Sequence, residues 1–240
     1  VAAGRVLVDG KPATKASGKV AAGAVLEVIV GDEDRWVGRA ALKLLGALET
    51  LPVPVAGKLA LDAGASTGGF TQVLLEAGAQ RVIAADVGHD QLHPSLAQDP
   101  RVENREGTNL RYLTPDDIPG GVDLIVGDLS FISLRLLVGP LAGVLREDGH
   151  ALLMVKPQFE VGRERLARTG VVTDPSARRV AVESVVAAAE QAGLVALGLG
   201  RSPLSGQDGN AEFFVHLVPG ANVSTEVPER QSLLGAVDYG

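Results

Sequence analysis

The residues able to do chemistry in this chain lie where runs of apolar residues end. Leu59-Ala-Leu-Asp62 leads into the turn Ala63-Gly64-Ala65-Ser66-Thr67-Gly68-Gly69, and then into Phe70-Thr-Gln-Val-Leu-Leu, whose apolar spacing suits a helix. That order describes a buried strand, a glycine turn and a helix N-terminus. Gly64, Gly68 and Gly69 allow the backbone to approach a ligand where a side chain would collide. The spacing discriminates among ligands. A dinucleotide fingerprint needs G-x-G-x-x-G, and Ser66 stands where its second glycine should be. A P-loop closes on a lysine followed by Ser or Thr, which this turn lacks. An acid at the strand end favours a ligand with a positive amine, which a diphosphate does not have and the methionyl end of S-adenosylmethionine does.

Further polar groups close later apolar runs: Arg81-Val-Ile-Ala-Ala-Asp86, Val122-Asp-Leu-Ile-Val-Gly-Asp128 and His150-Ala-Leu-Leu-Met-Val-Lys156-Pro157. Asp86 is placed to accept hydrogen bonds from ribose hydroxyls or to cap a helix. Glu106 and Thr108-Asn109 are candidates for the adenine side. Ser66 and Thr67 serve either the ligand or the backbone of their own turn. Asp128 and Lys156 each follow a strand that should be central, and buried charges require partners. They form either a strand-end salt bridge or the centre of a site. Lys43 interrupts an otherwise apolar helix, as a site residue or a snorkelling one. Glu212 stands just before the apolar run of the last strand.

These groups need a scaffold that gathers strand ends. Strand and helix signals alternate from residue 58 onward, which predicts a sheet covered by helices, with ligands outside the carboxyl ends of its strands. Trp36 to Leu51 reads as a helix, with Leu42, Leu45 and Leu48 repeating on one side. Residues 158 to 174 show little periodicity and read as a long mobile loop. Asp174 and Pro175 cap a helix running to Ala192. Leu194 to Leu199 and Ala211 to Leu217 make an antiparallel pair, and residues 220 to 240 carry no clear element. Residues 1 to 30 supply short strands, too few to enclose a core alone, and residues 31 to 57 a linker and the Lys43 helix. Pro157 after Lys156 should stop the ladder there.

Composition narrows the classes. Hydrophobic residues make up 46% of the 240 but aromatics only 3%, so the core must be built from Val, Leu and Ala. Absence of cysteine excludes disulfides and thiolate metal sites, and four histidines support a histidine metal centre poorly. The net charge of −7 argues against nucleic acid, yet it is unevenly spread. Residues 1 to 58 carry eight Lys/Arg and six Asp/Glu, the remainder fourteen and twenty-three. Basic groups at Lys156, Arg163, Arg165, Arg168, Arg178 and Arg179 form either a phosphate-facing patch or a solvated surface. No apolar run reaches the ~18 residues that cross a bilayer, and no signal peptide is evident, so a cytoplasmic protein is the default expectation.

Lys43, Asp128, Lys156 and Glu212 resemble the K-D-K-E tetrad of FtsJ-like ribose 2′-O-methyltransferases. The surrounding motifs are closer to one branch, the TlyA family of hemolysin-like ribosomal-RNA methyltransferases. They are Arg5-Val-Leu-Val-Asp-Gly-Lys-Pro, Leu42-Lys43-Leu44, Leu61-Asp-Ala-Gly-Ala-Ser-Thr-Gly-Gly-Phe-Thr, Ala85-Asp86-Val-Gly, Thr108-Asn109, Gly127-Asp128-Leu-Ser-Phe-Ile-Ser, Val155-Lys156-Pro-Gln-Phe-Glu160 and Gly170-Val-Val. The resemblance spans residues 5 to 218. It departs from the family at Gly38-Arg39-Ala40-Ala41, where a Ser-Arg-Gly-like approach is usual, and in residues 1 to 30, which match only the terminal strands of an S4 RNA-binding domain.

The resemblance implies a Rossmann-like class I fold with a seven-stranded, mostly parallel sheet over residues 58 to 219, a tail at 220 to 240, and methyl transfer from S-adenosylmethionine to a ribose 2′-hydroxyl of ribosomal RNA, typically on cytidine. It implies no metal, and neither DNA nor a transmembrane segment. It assigns the cofactor to Asp62, Gly64, Ser66, Thr67, Gly68, Gly69, Phe70, Asp86, Val87, Glu106, Thr108, Asn109 and Asp128. RNA falls to Arg5, Lys11, Lys15, Lys19, Arg39, Arg163, Arg165 and Arg168. Lys156 would lie nearest the reacting hydroxyl, as a base if burial or neighbouring positive charge lowers its pKa and otherwise as a stabiliser of developing alkoxide. Asp128 would hold Lys156, with Lys43 and Glu212 positioning the sugar. Two rivals remain: a nicotinamide-dependent oxidoreductase, favoured by the alternating pattern and Asp86, and a non-enzymatic RNA-binding or hemolysin-like protein.

Overall fold

A computed structural model describes residues 1, 4–29, 31, 35–162, 166, 168–223 and 227–240. The chain divides into two compact units, Val1–Trp36 and Val37–Gly240. In the first, β1 (Val6–Val8) pairs antiparallel with β2 (Lys11–Pro12) and β3 (Leu26–Val28), in the order β2-β1-β3. The tight connection between β1 and β2 turns on Asp9 and Gly10, both with positive φ, and Asp9 also accepts a hydrogen bond from Val25 N.

The second unit opens with α1 (Ala40–Thr50). It starts four residues later than predicted, because Arg39, in its N-cap position, provides no side-chain cap and Gly38 precedes it. Its buried stripe is Ala41, Leu44 and Ala47, while Leu42, Leu45 and Leu48, expected to form that stripe, are only half-buried. Small residues on this face bring the helix axis close to its neighbours, and the leucines flank the contact.

Beyond α1 the alternating pattern resolves into β4 (Leu59–Ala63), α2 (Gly69–Glu76), β5 (Arg81–Asp86), α3 (Pro94–Ala97), β6 (Val102–Glu106), β7 (Val122–Gly127), α4 (Val138–Val144), β8 (Leu145–Val155), α5 (Pro157–Glu160), α6 (Pro175–Gln191), β9 (Leu194–Arg201), β10 (Phe213–Pro219) and α7 (Arg230–Gly235). The seven strands run in the order β6-β5-β4-β7-β8-β10-β9. β4 to β8 are parallel and β10 is antiparallel to both neighbours. This is the expected Rossmann-like class I arrangement.

Both faces of the central strands are buried, which is why they read as continuous apolar runs rather than alternations. Leu61, Ile83, Ile125, Leu153, Val215 and Leu217 belong to one buried cluster with Val182, Val185, Val186 and Ala189 of α6. On the alternate positions Ala60, Leu124, Leu152 and Phe214 are equally buried, and Phe214 stacks on Phe70 of α2 at 6.3 Å. α6 begins as predicted: Asp174 accepts from Ser176 N at 2.9 Å, with Pro175 in the first turn.

Residues 220 to 240 differ from the expectation. They include α7, and Leu234 and Tyr239 join the main core, Tyr239 packing on Phe213 at 5.1 Å. The buried guanidinium of Arg178 fastens the segment by donating to Tyr239 O at 2.8 Å and to Val172 O at 2.9 Å. Among the described residues no helix is long and apolar enough to cross a membrane.

Candidate active site

The strand order reverses between β4 and β7, one side continuing to β5 and β6 and the other to β8. Loops diverge there, opening a crevice at the carboxyl ends. A cavity of about 960 Å³ occupies that position, lined among others by Gly64, Ser66, Lys43, Asp128, Lys156 and Glu212.

Each of the four charged residues arrives from a different element. Asp128 follows the last residue of β7, and Lys156 follows the last residue of β8. Pro157 lacks an N–H and holds Lys156 in an extended conformation, ending the ladder where the sequence predicts. Glu212 precedes β10. Because β10 runs antiparallel to β8, with Phe213 opposite Val155, the start of one strand lies beside the end of the other. That register delivers Glu212 to the edge where Asp128 and Lys156 emerge. Lys43 comes from the buried face of α1.

The charges form a chain. Lys43 Nζ lies 2.5 Å from Glu212 Oε2 and 3.9 Å from Asp128 Oδ2. Lys156 Nζ lies 2.6 Å from Asp128 Oδ1 and donates to Ser130 Oγ at 2.8 Å. The Asp128 Oδ1 contact is an ion pair without the alignment of a directed hydrogen bond. Lys43, Lys156 and Glu212 are 6%, 7% and 2% exposed. Such charges are tolerated only as a mutually compensating set.

The glycine turn forms the adjoining wall. Gly64 has φ 87°, and a side chain there would stand 2.9 Å from Asp128 O. Gly68, at φ 94°, is closed over by Leu92 and Leu96. At these two positions the bare backbone first allows the chain to approach itself, whereas the sequence suggested approach of a ligand. Asp62 is wholly buried. Its Oδ2 accepts from Thr71 Oγ1 at 2.7 Å, while Oδ1 has no hydrogen-bond partner among the described residues. Burial pushes its carboxyl up to about 7, opposed by the Thr71 hydrogen bonds. A buried, half-satisfied acid under a glycine turn fits the amine-bearing end of S-adenosylmethionine.

Asp86 and Glu106 stand opposite each other at the ends of β5 and β6. Asp86 accepts from Ser66 N at 2.9 Å and from Gly88 N at 2.8 Å, so it clamps the glycine turn to the next loop. Glu106 accepts from Asn104 Nδ2 and from the Gln91 and Leu92 N–H groups, which hold its carboxyl down at about 2. Thr108 N donates to Asp86 O, and Asn109 caps a 3-10 turn. Val87 is exposed, and Phe70 belongs both to the core and to the cavity wall. Asp62, Gly68, Asp86, Val87, Glu106, Thr108 and Asn109 therefore lie outside the cavity lining that holds the four charges, while Gly64, Ser66, Thr67, Gly69 and Phe70 are part of it.

Of the residues expected to meet RNA, Lys11, Lys15 and Lys19 are exposed and Arg5 is half-buried in the first unit. Arg39 is exposed and donates to Ser205 O at 2.8 Å. Arg168 is exposed, and Arg163 and Arg165 fall outside the described residues.

The sequence left several site residues unremarked. Phe131 is 93% exposed and holds φ 63°, a costly conformation for a bulky residue. It lies 5.4 Å from Phe159 across the cavity lining. Glu160 accepts from Leu134 N and Ser133 Oγ, both at 2.6 Å, and from Arg135 Nε at 3.1 Å, tying the loop after β7 to the turn after β8. Asn210, also in the lining, holds Val172 N and Gly170 O. A phenylalanine inside a polar block, Asp-Leu-Ser-Phe-Ile-Ser, was the one available signal.

Residues 36–218 match the profile of FtsJ-like methyltransferases. The 16S/23S rRNA (cytidine-2′-O)-methyltransferase TlyA of Mycobacterium tuberculosis is 49% identical over 217 residues, covering 90% of this chain and 81% of that protein. The 23S rRNA (cytidine-2′-O)-methyltransferase TlyA of Campylobacter jejuni is 36% identical, covering 76% and 71%. A solved structure from Streptococcus thermophilus that carries a provisional hemolysin name superposes with a TM-score of 0.81 at 38% identity, covering 97% of this chain and 86% of that one. These matches set aside the oxidoreductase alternative.

Proposed function

The chain belongs to the TlyA branch of the FtsJ-like methyltransferases, and from that premise we propose that it methylates a ribose 2′-hydroxyl of ribosomal RNA, on cytidine. It is an S-adenosylmethionine-dependent enzyme. The substrate assignment draws on the printed activities of the two TlyA relatives. The observation that carries the site assignment is the meeting of Lys43, Asp128, Lys156 and Glu212, from four separate elements, beside the glycine turn.

When bound, S-adenosylmethionine supplies an electrophilic methyl group and leaves with the electron pair of the broken carbon–sulfur bond. Gly64, Ser66, Thr67 and Gly69 would hold its methionyl end over Asp62, and Asp86 its ribose after exchanging a backbone partner. Lys156 Nζ is placed to orient the RNA hydroxyl: as the ion-paired ammonium it stabilises the alkoxide that develops as the hydroxyl loses its proton to solvent, and only as a neutral amine would it take that proton itself. Asp128 fixes Lys156, and Lys43 bound to Glu212 keeps Asp128 from being an uncompensated anion. Holding the hydroxyl in line accounts for several kcal/mol of barrier reduction, with ~7–11 kcal/mol the value for ideal alignment.

The exposed ring of Phe131, tilted against the half-buried Phe159 at the cavity, is proposed to receive an unstacked base. Arg39 and Arg168, with Lys11, Lys15 and Lys19, are proposed as phosphate contacts, which position RNA without reading its sequence. Residues 1 to 30 are proposed to be the strands of an S4 RNA-binding domain. Incubating the protein with ribosomal subunits and S-adenosylmethionine, then digesting the RNA to nucleosides, tests the substrate. The expected product is 2′-O-methylcytidine, and a base-methylated nucleoside or another 2′-O-methylated one would overturn the assignment.

A further inference from the structure

Among the described residues two groups touch Lys156 Nζ, and the tetrad accounts for one of them. The other is Ser130, whose Oγ lies 2.8 Å from it. A lysine nitrogen has three directions besides its bond to Cε. Ser130 takes one of them in a directed hydrogen bond, whereas Asp128 holds the nitrogen at 2.6 Å as an ion pair that does not fix how it is turned. Rotation about four bonds places Nζ relative to the backbone, so without a second anchor the nitrogen would swing about the Asp128 contact.

We propose that Ser130 is a positioning residue of the methyl transfer: its hydroxyl accepts from Lys156 Nζ and so fixes how that nitrogen is turned toward the ribose 2′-hydroxyl. This rests on the methyltransferase function proposed above. The surrounding backbone supports it. The loop carrying Ser130 is forced into the left-handed region at Phe131, next in sequence, a conformation that persists only when its surroundings over-determine it. Glu160 supplies that constraint by gripping Ser133, Leu134 and Arg135. Ser130–Lys156 and Glu160–Leu134 thus brace the same two loops at two points.

A serine is suited to the task because it is neutral and short. It leaves the charge balance to Asp128 just after β7, to Lys43 on α1 beyond it, and to Glu212 before β10, while Glu160 on α5 is occupied by its own loop contacts and Asp62 is hydrogen-bonded to Thr71. The hydroxyl accepts from Nζ, as an ammonium requires, and in that role it would also leave the lone pair of a neutral amine clear for the substrate proton. Removing it is therefore expected to disturb proton transfer, not cofactor binding.

The test compares parent, Ser130→Ala and Ser130→Thr in single-turnover methyl transfer to ribosomal subunits across pH, with calorimetric titration of S-adenosylmethionine and thermal unfolding alongside. Ser130→Ala is expected to slow transfer by about tenfold or more, displace the pH limb of the rate, and leave cofactor affinity and melting unchanged. Ser130→Thr, which keeps the hydroxyl, is expected to recover most of the rate and the parental limb. An alanine variant with parental rate and pH limb would overturn the role, as would one whose slower rate comes with lost cofactor affinity, or a folded, cofactor-binding threonine variant as slow as alanine. A parent that transfers no methyl group would instead overturn the underlying function together with this role.

Discussion

Replacing Glu212 with alanine removes the partner that lies 2.5 Å from Lys43 Nζ and leaves that lysine with Asp128 at 3.9 Å. Breaking a buried ion pair costs ~3–5 kcal/mol because the surviving charge stays uncompensated. The residual Asp128 contact places Glu212→Ala at the lower end, about 3 kcal/mol. For a domain of this size each kcal/mol moves the melting temperature by ~2–4 °C, so a drop of roughly 6–12 °C is expected. The same change draws Lys43 toward Asp128 and loosens the Asp128–Lys156 pair, so methyl transfer should fall with it. The double replacement Lys43→Met with Glu212→Leu separates the effects. It removes both charges, and stability should return to within ~1 kcal/mol of the parent, since apolar substitutes for a buried pair are often neutral. Methyl transfer should stay lost. Thermal unfolding followed by circular dichroism reads the first quantity and tritiated-methyl incorporation the second. A Glu212→Ala protein that melts with the parent, or a double variant that regains transfer, would refute the electrostatic account.

Asp62 has its carboxyl raised from 3.8 to about 7, so the folded protein binds a proton that the unfolded chain has released. Stability should be intact below 3.8 and fall as pH rises through 7, by an amount on the order of a few kcal/mol; Asp62→Asn should flatten that slope in urea unfolding at a series of pH values, and an unchanged slope would contradict it. Phe131→Gly relieves the left-handed backbone and should raise stability by about 1 kcal/mol in the same assay, while weakening apparent RNA affinity; a destabilised variant would contradict the strain. Arg178→Met frees Tyr239 and Val172 from their anchor, and hydrogen exchange should accelerate across residues 230–240; unaltered protection there would contradict the fastening.

The strand ends were legible because buried parallel strands leave an unmistakable trace: continuous apolar runs that stop at Asp62, Asp86, Asp128 and Lys156. Local chemistry also marked the cap at Asp174 and the stop at Pro157. Lys43 and Glu212 stood out locally, but that they meet was legible only through resemblance, since it depends on α1 packing and on the register of an antiparallel strand, neither of which periodicity encodes. Leucine spacing misplaced the buried face of α1 because alanines permit the closer approach. The last residues were passed over since a polar stretch precedes Leu233, Leu234 and Tyr239, whose burial is decided by the distant Arg178 and Phe213. Ser130 and Glu160 were hidden for the same reason: each acts across two loops.

The most direct measurement is methyl transfer to ribosomal subunits by Lys156→Ala, with S-adenosylmethionine affinity determined on the same preparation. The geometry predicts that transfer is abolished while the cofactor still binds with parental affinity. Undiminished transfer by that protein would contradict the assignment of the four clustered charges to the reaction.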